Sequence, residues 1–274
     1  SNLTNAEGTD SDVLSAIGAS SFTVGNSNYS NYGTLVAWTW KANGGTTSSN
    51  TSGSITSTVQ ANATAGFSVV TYTGTANSSE TLGHGLGVAP SMIFVKCRSV
   101  VKDWMTYHSG IGATKYLQLN LTTAAVTSSV WSNTAPTSTV FTIGGSSNLN
   151  ASGATFVAYC WADVSGFSKA FSYTGNGSAD GSFVYVGFLP RFVMIKRTDT
   201  TGDWYMWDTA RNTFDVITNT LLANSSAAET SATSIDALSN GFKLRNTTAG
   251  FNASGGTYIG MAWATNPFKN SNAF

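Results

Sequence analysis

The chain of 274 residues balances 13 basic against 13 acidic side chains, and only 9% of its residues are charged. That balance excludes a protein that holds nucleic acid through a basic surface, and 41% hydrophobic residues are enough to build cores, which excludes general disorder. No apolar run approaches the roughly 18 residues of a membrane span, so membrane insertion is not expected.

The first residues have neither the basic start nor the apolar stretch of a signal peptide. The chain opens on Ser1 rather than an initiator Met, as a piece of a longer or processed chain would. Residues 1–42 resemble the ends of two later stretches. Phe22-Thr23-Val24-Gly25 matches Phe141-Thr142-Ile143-Gly144. Leu35-Val36-Ala37-Trp38-Thr39-Trp40 resembles Phe156-Val157-Ala158-Tyr159-Cys160-Trp161 and Tyr258-Ile259-Gly260-Met261-Ala262-Trp263. This first segment is expected to be the closing half of a repeat whose opening half is absent from residues 1–42. Residues 43–65 follow as a linker. Its part from 43 to 53 is Gly/Ser/Thr/Asn text with no apolar anchor, which predicts flexibility, and one short strand is expected at residues 55–59.

Two full repeats occupy residues 66–163 and 164–274. Pro90, Lys96, Asp103 and Trp104 recur as Pro190, Lys196, Asp203 and Trp204, always 100 residues later. Tyr72-Thr73-Gly74 recurs as Tyr173-Thr174-Gly175, and Asn150-Ala151-Ser152-Gly153 as Asn252-Ala253-Ser254-Gly255. The small drift of the offset places one-residue insertions in loops. Residues 163–166 are too short a join for independent tumbling.

Within each repeat the hydrophobic period is two, and Met92-Ile93-Phe94-Val95 and Phe192-Val193-Met194-Ile195 are continuous runs suited to buried strands. Short helical pieces are expected at residues 12–17, 214–222 and 234–238, although 214–217 serves equally as a strand. The predicted fold is all-β: tandem lectin-like jelly-roll β-sandwiches, two full copies preceded by a partial one. Seven or eight strand candidates over about 100 residues suit a sandwich. A jelly roll is preferred to an immunoglobulin-like sandwich because no Cys-Trp-Cys framework appears and because jelly rolls pair their first and last strands.

Chemistry-bearing residues are sparse. Cys97 and Cys160 fall on predicted strands and are replaced in the second copy by Arg197 and Ala262, so two buried or edge thiols are preferred to a bridge. His84 and His108 are the only histidines, and the second copy keeps the frame with Asp208 in place of His108. Structural roles therefore fit them better than a catalytic dyad. Asp103 and Asp203 sit in separate copies and do not form the carboxylate pair of a glycoside hydrolase. Residues 199–203 match a calcium loop thinly and in one copy only. Trp104 and Trp204 are expected to pack inward while the Asp before each ends a turn, and Asp208 with Arg211 is expected to form a strand-end salt bridge. Neither a catalytic residue, a metal nor a cofactor is expected. Tyr29, Tyr32 and Trp131, on predicted loops, are the candidates for stacking on a sugar.

The stretches Gly66-Phe67-Ser68-Val69-Val70-Thr71-Tyr72-Thr73-Gly74, Gly83-His84-Gly85-Leu86-Gly87-Val88-Ala89-Pro90 and Phe171-Ser172-Tyr173-Thr174-Gly175-Asn176-Gly177 resemble the tandem β-sandwich modules of bacteriophage virion proteins. The similarity is greatest to the tail-fibre-like proteins of marine phages. The ending from Ala262 to Ala273 is similar to the termini of such proteins, and the resemblance runs from about Phe22 onward. It implies a non-enzymatic fibre-like structural protein of the virion, made in the host bacterial cytoplasm. Such a protein attaches to the host surface from the tail, or serves as a capsid fibre or decoration protein. Other virion proteins and a bacterial surface glycan are the partners implied. Homo-oligomerisation is implied too, with a trimer the default for a fibre.

Overall fold

The computed structural model describes residues 3–19, 21–28, 30–31, 33–212 and 215–264. The partial copy contributes β1 (Leu14–Ile17) and β2 (Phe22–Val24), an antiparallel ribbon. Residues 35–42 then run without a ladder partner among the described residues, with Val36, Trp38, Trp40 and Ala42 covered and the residues between them exposed.

The first full copy is led by β3 (Ser48–Asn50) and β4 (Ser57–Asn62). After them come β5 (Phe67–Thr73), β6 (Ser79–Gly83), β7 (Met92–Cys97), β8 (Met105–His108), β9 (Lys115–Gln118), β10 (Val126–Thr127), β11 (Val140–Gly144), the one-turn helix α1 (Ser147–Asn150) and β12 (Thr155–Trp161). The second copy repeats this as β13 (Ser168–Thr174), β14 (Phe183–Tyr185), β15 (Phe192–Arg197), β16 (Trp204–Asp208), β17 (Ile217–Leu222), β18 (Thr230–Leu238), β19 (Gly241–Leu244), α2 (Ala249–Asn252) and β20 (Thr257–Trp263). Every strand-to-strand ladder is antiparallel. One sheet is ordered β10-β9-β8-β7-β12-β5-β4-β3, with β11-β6 beside it. The other runs β13-β20-β15-β16-β17-β18-β19-β14 and curls nearly into a barrel. In each copy the first strand pairs with the last, β5 with β12 and β13 with β20, over seven residues.

Two expectations need correction. None of the three predicted helical pieces is a helix among the described residues: residues 14–17 lie in β1, 217–222 in β17 and 234–238 in β18, each held by a ladder that overrides local preference. Phe214 lies outside the described residues. The predicted flexible linker is also part of the sheet, because Ser48–Asn50 pairs with β4 as an edge strand. Its serines and asparagine satisfy the ladder through backbone alone, so no apolar side chain is needed.

The central strands are buried on both faces, and this explains their continuous apolar runs. Along β7, Ile93, Val95 and Cys97 enter the first copy's own core, while Met92 and Phe94 enter a second cluster shared between copies. Along β15, Val193 and Ile195 face the second copy's core, and Phe192 and Met194 face the shared cluster. The same alternation sends Trp161 of β12 and Trp263 of β20 into the shared cluster, where Trp38, Trp40 and Ala42 of the partial copy join them. Trp40, Trp161 and Trp263 are the tryptophans aligned in the three sequence copies, and they form a triangle. Ring centroids lie 5.9 Å apart for Trp40–Trp161, 5.3 Å for Trp40–Trp263 and 6.0 Å for Trp161–Trp263, all edge to face.

The recurring short motifs meet each other. A side chain on Gly74 would lie 2.3 Å from the Ala151 carbonyl, and one on Gly175 would lie 2.4 Å from that of Ala253. Only glycine allows this approach. Asn150 Oδ1 then accepts the Thr75 amide at 2.7 Å, and Asn252 Oδ1 accepts the Asn176 amide at 3.0 Å.

Candidate functional site

The repeat markers lie at the joints between copies. Position 96 continues the face of β7 that carries Met92 and Phe94, so Lys96 ends that row at the seam with the partial copy. Its ammonium donates to the carbonyls of Thr4 (3.0 Å), Cys97 (2.9 Å) and Lys102 (3.1 Å). Lys196, 0% exposed, donates to Thr122 of the first copy (3.1 Å) and to Arg197 (2.8 Å). Burial pushes its pKa down to about 8 against the pull of nearby Asp203, and burial lowers that of Lys96 as well. The surrounding backbone repeats the pattern. Thr4 O accepts Lys102 N at 3.0 Å, as Thr122 O accepts Gly202 N at 2.9 Å. Glu7 N donates to Arg98 O at 2.7 Å, as Ala125 N donates to Thr198 O at 2.9 Å.

Trp104 and Trp204 face these joints rather than the cores of their own copies. The Trp104 indole donates to Leu3 O at 3.2 Å, and that of Trp204 to Gln118 O at 2.9 Å. Each preceding aspartate orients an asparagine. Asp103 accepts Asn120 Nδ2 at 2.8 Å, and Asp203 accepts Asn224 Nδ2 at 2.7 Å. Asn120 Oδ1 and Asn224 Oδ1 in turn accept the Trp104 and Trp204 amides at 2.9 Å and 2.7 Å. These asparagines escape sequence inspection because they follow their tryptophans at different spacings. Asn224→Ala is expected to cost about 1–3 kcal/mol, since it strands the Trp204 amide and leaves Asp203 without that partner. Urea denaturation measures it, and an unchanged midpoint would refute the role.

The remaining titratable candidates are held by structural partners. His108 Nδ1 accepts the Gly110 amide at 3.0 Å, which leaves Nε2–H to donate to the Gly260 carbonyl of the second copy at 3.0 Å. His84 is placed likewise between the Leu86 amide and the Thr137 carbonyl, both at 3.2 Å. Burial lowers both imidazoles, His108 to about 4. Cys97 and Cys160 are free and buried, and burial drives the Cys160 thiol up to about 12. The Arg197 fork holds Asp199 at 2.9 Å through both oxygens and depresses it to about 2. That carboxylate and Asp203 are thus engaged separately, and among the described residues no cluster of three or more His, Cys, Asp or Glu is placed to hold a metal. Arg211 bonds Asp208 at 2.7 Å, the expected strand-end bridge, and the Trp38 indole shares the same carboxylate at 3.2 Å.

Of the three sugar-stacking candidates, Tyr29 and Tyr32 lie outside the described residues. Trp131 is corrected. It is 1% exposed, packs edge to face on Tyr107 at 5.8 Å, and offers no face to a ligand. Beside it the surface forms a depression of about 460 Å³ lined by Ser78, Ser128, Ser129, Ser146, Asn148 and Tyr116. In a serine-rich sequence nothing distinguishes these serines until the fold gathers them.

The fold and its polar networks define an all-β repeat protein whose repeats are locked together at a shared aromatic junction. The chain belongs to a family described as a domain of unknown function, DUF7483, whose model matches residues 1–267. No curated protein and no solved structure matches it.

Proposed function

We propose that this chain is a non-enzymatic, fibre-like structural protein of a bacteriophage virion that mediates attachment to a glycan of the host cell surface. In this reading its copies are lectin-like jelly rolls, consistent with the pairing of first and last strands, and they assemble as a homo-oligomer with other virion proteins. The resemblance of residues 66–74, 83–90 and 171–177 to phage modules supports it. The observation that carries the attachment role is the serine-lined depression beside Tyr116. Its hydroxyls and amide complement a neutral sugar, and a tyrosine ring supplies an apolar face with a polar tip.

Binding of the intact chain to host capsule and lipopolysaccharide tests the reading. Tyr116→Ala and Ser129→Ala should each weaken binding, Ser129→Ala without moving thermal unfolding because Ser129 is exposed, and no oligosaccharide should be released. Undiminished binding by both variants, or steady release of sugar, would sink it. A mainly structural capsid fibre or decoration role is favoured instead by the tryptophan triangle, which makes the copies one stiff unit. Imaging the chain on intact particles by cryo-electron microscopy separates tail from capsid.

A further inference from the structure

Three features that are closed elsewhere in the chain are left open, two on the partial copy and one on the second full copy. First, residues 35–40 correspond to β12 and β20. Those strands are flanked on both edges, β12 by β5 and β7 and β20 by β13 and β15. The backbone of residues 35–40 makes no hydrogen bond among the described residues, although Trp38 and Trp40 are seated in the junction. Second, the face of this segment turned away from the junction is bare. Leu35 is 55% exposed where its counterpart Phe156 is 0%, and Phe22 is 44% exposed where Phe141 is 0%. Third, one joint has no taker. Thr4 and Glu7 bond the first copy, and Thr122 and Ala125 bond the second. Counting from the equivalent Asn120 and Asn224, the next members of the series are Ser226 and Glu229. The Ser226 carbonyl and the Glu229 amide have no partner among the described residues.

One kind of occupant meets all three. The opening half of a repeat brings two strands for the edges of residues 35–40, apolar side chains for the bare face, and a lysine for a carbonyl such as that of Ser226. We propose that this face is a docking site for a polypeptide segment carrying the opening half of the repeat, with a proline, a lysine six residues on and an Asp-Trp pair seven further, bound by strand addition. A second folded copy of this chain has no such half to give. Both of its own are paired to their closing strands over seven-residue ladders. Strand addition gives affinity through main-chain bonds, and the alternate side chains give specificity.

The probe is a synthetic peptide of residues 90–108, added to the full chain and followed by hydrogen exchange. Without peptide, the amides of residues 35–40 should exchange as unpaired groups. With it the amides of Val36, Trp38 and Trp40, whose counterparts in β12 point to β7, should slow by at least ~10-fold, together with Glu229. Val36→Pro in the chain should abolish the protection while leaving the overall fold in place, because residue 36 makes no backbone bond among the described residues and its counterpart Val157 is bonded toward β7. Replacing the peptide residue Lys96→Ala should weaken binding. Amides 35–40 already slow in the chain alone would overturn the proposal, as would protection equal to that given by a scrambled peptide. Native mass spectrometry showing an oligomer of the chain in which residues 35–40 are protected would assign the face to a second copy and overturn it equally.

Discussion

Trp161→Ala is expected to cost about 3–5 kcal/mol and to split a single unfolding transition into two. Trp161 has ring centroids of Phe94 at 5.1 Å, Phe67 at 5.2 Å, Trp40 at 5.9 Å and Trp263 at 6.0 Å. Truncation opens a cavity in the cluster shared by all three copies and leaves the separate cores of the two full copies whole. The coupling between copies therefore falls more than the stability of either one. Trp161→Phe should cost much less, about 1–2 kcal/mol, because the buried Trp161 Nε1 has no hydrogen-bond partner among the described residues to lose. A double-mutant cycle of Trp161→Leu with Trp263→Leu should return a coupling of about 0.5–1.5 kcal/mol for the aromatic pair. Urea denaturation followed by fluorescence and far-ultraviolet circular dichroism reads all three. One sharp transition with an unmoved midpoint in Trp161→Ala would mean that the junction holds nothing together.

Acidification should loosen the other contact between the full copies before it touches the carboxylates. His108 is neutral in the fold, with its pKa lowered from 6.5 to about 4 mainly by burial. An unfolded chain takes up that proton near pH 6.5. The stability tied to the neutral ring is thus complete above pH 6.5, is lost as the pH falls toward 4, and changes no further below that. The loss is on the order of 3 kcal/mol. His84, lowered by burial too, adds in the same direction. Carboxylates act later. Asp199 is held at about 2 by Arg197, and Asp208 is held low by Arg211 against its burial, so their contributions fade as pH drops below the ordinary carboxylate range. His108→Gln keeps a donor for Gly260 O and removes the titration. Stability measured from pH 7 to 4 should flatten in this variant, and an unchanged slope would clear His108 of the effect.

Much of the fold is legible in the sequence because the repeats carry their own controls. Pro90 and Pro190, or Tyr72-Thr73-Gly74 and its twin, mark the same structural events twice. The period of two along Phe67–Thr73 predicts a strand that forms. What covers each face is not legible. Met92-Ile93-Phe94-Val95 looks like any buried strand, and the division of its side chains between a private core and a shared junction depends on a neighbour far away in the chain. The lysines and Asp-Trp pairs stand out as markers, but their partners Thr4, Thr122, Asn120 and Asn224 are ordinary residues in Thr- and Asn-rich text. Trp131 follows Val130 in a stretch that looks like a surface loop, yet it is pinned beneath Tyr107. The short apolar groups at 12–17 and 234–238 fit a helix as well as a strand, and only β2 and β19 as ladder partners decide them.

The two-faced central strands also restrict where this chain tolerates a change of length. Along β12, Phe156, Ala158 and Cys160 belong to one compartment and Tyr159 and Trp161 to the other. A single residue inserted ahead of Tyr159 within that strand switches the faces of the residues that follow, driving the Tyr159 ring into the place of the Cys160 thiol and taking Trp161 out of the junction. The same residue inserted in a loop changes nothing in either compartment. The offset between copies is 100 at Lys96, 101 at Tyr72 and 102 at Asn150. Each of those steps falls between strands, so parity acts as a proofreading rule on length that composition alone does not impose.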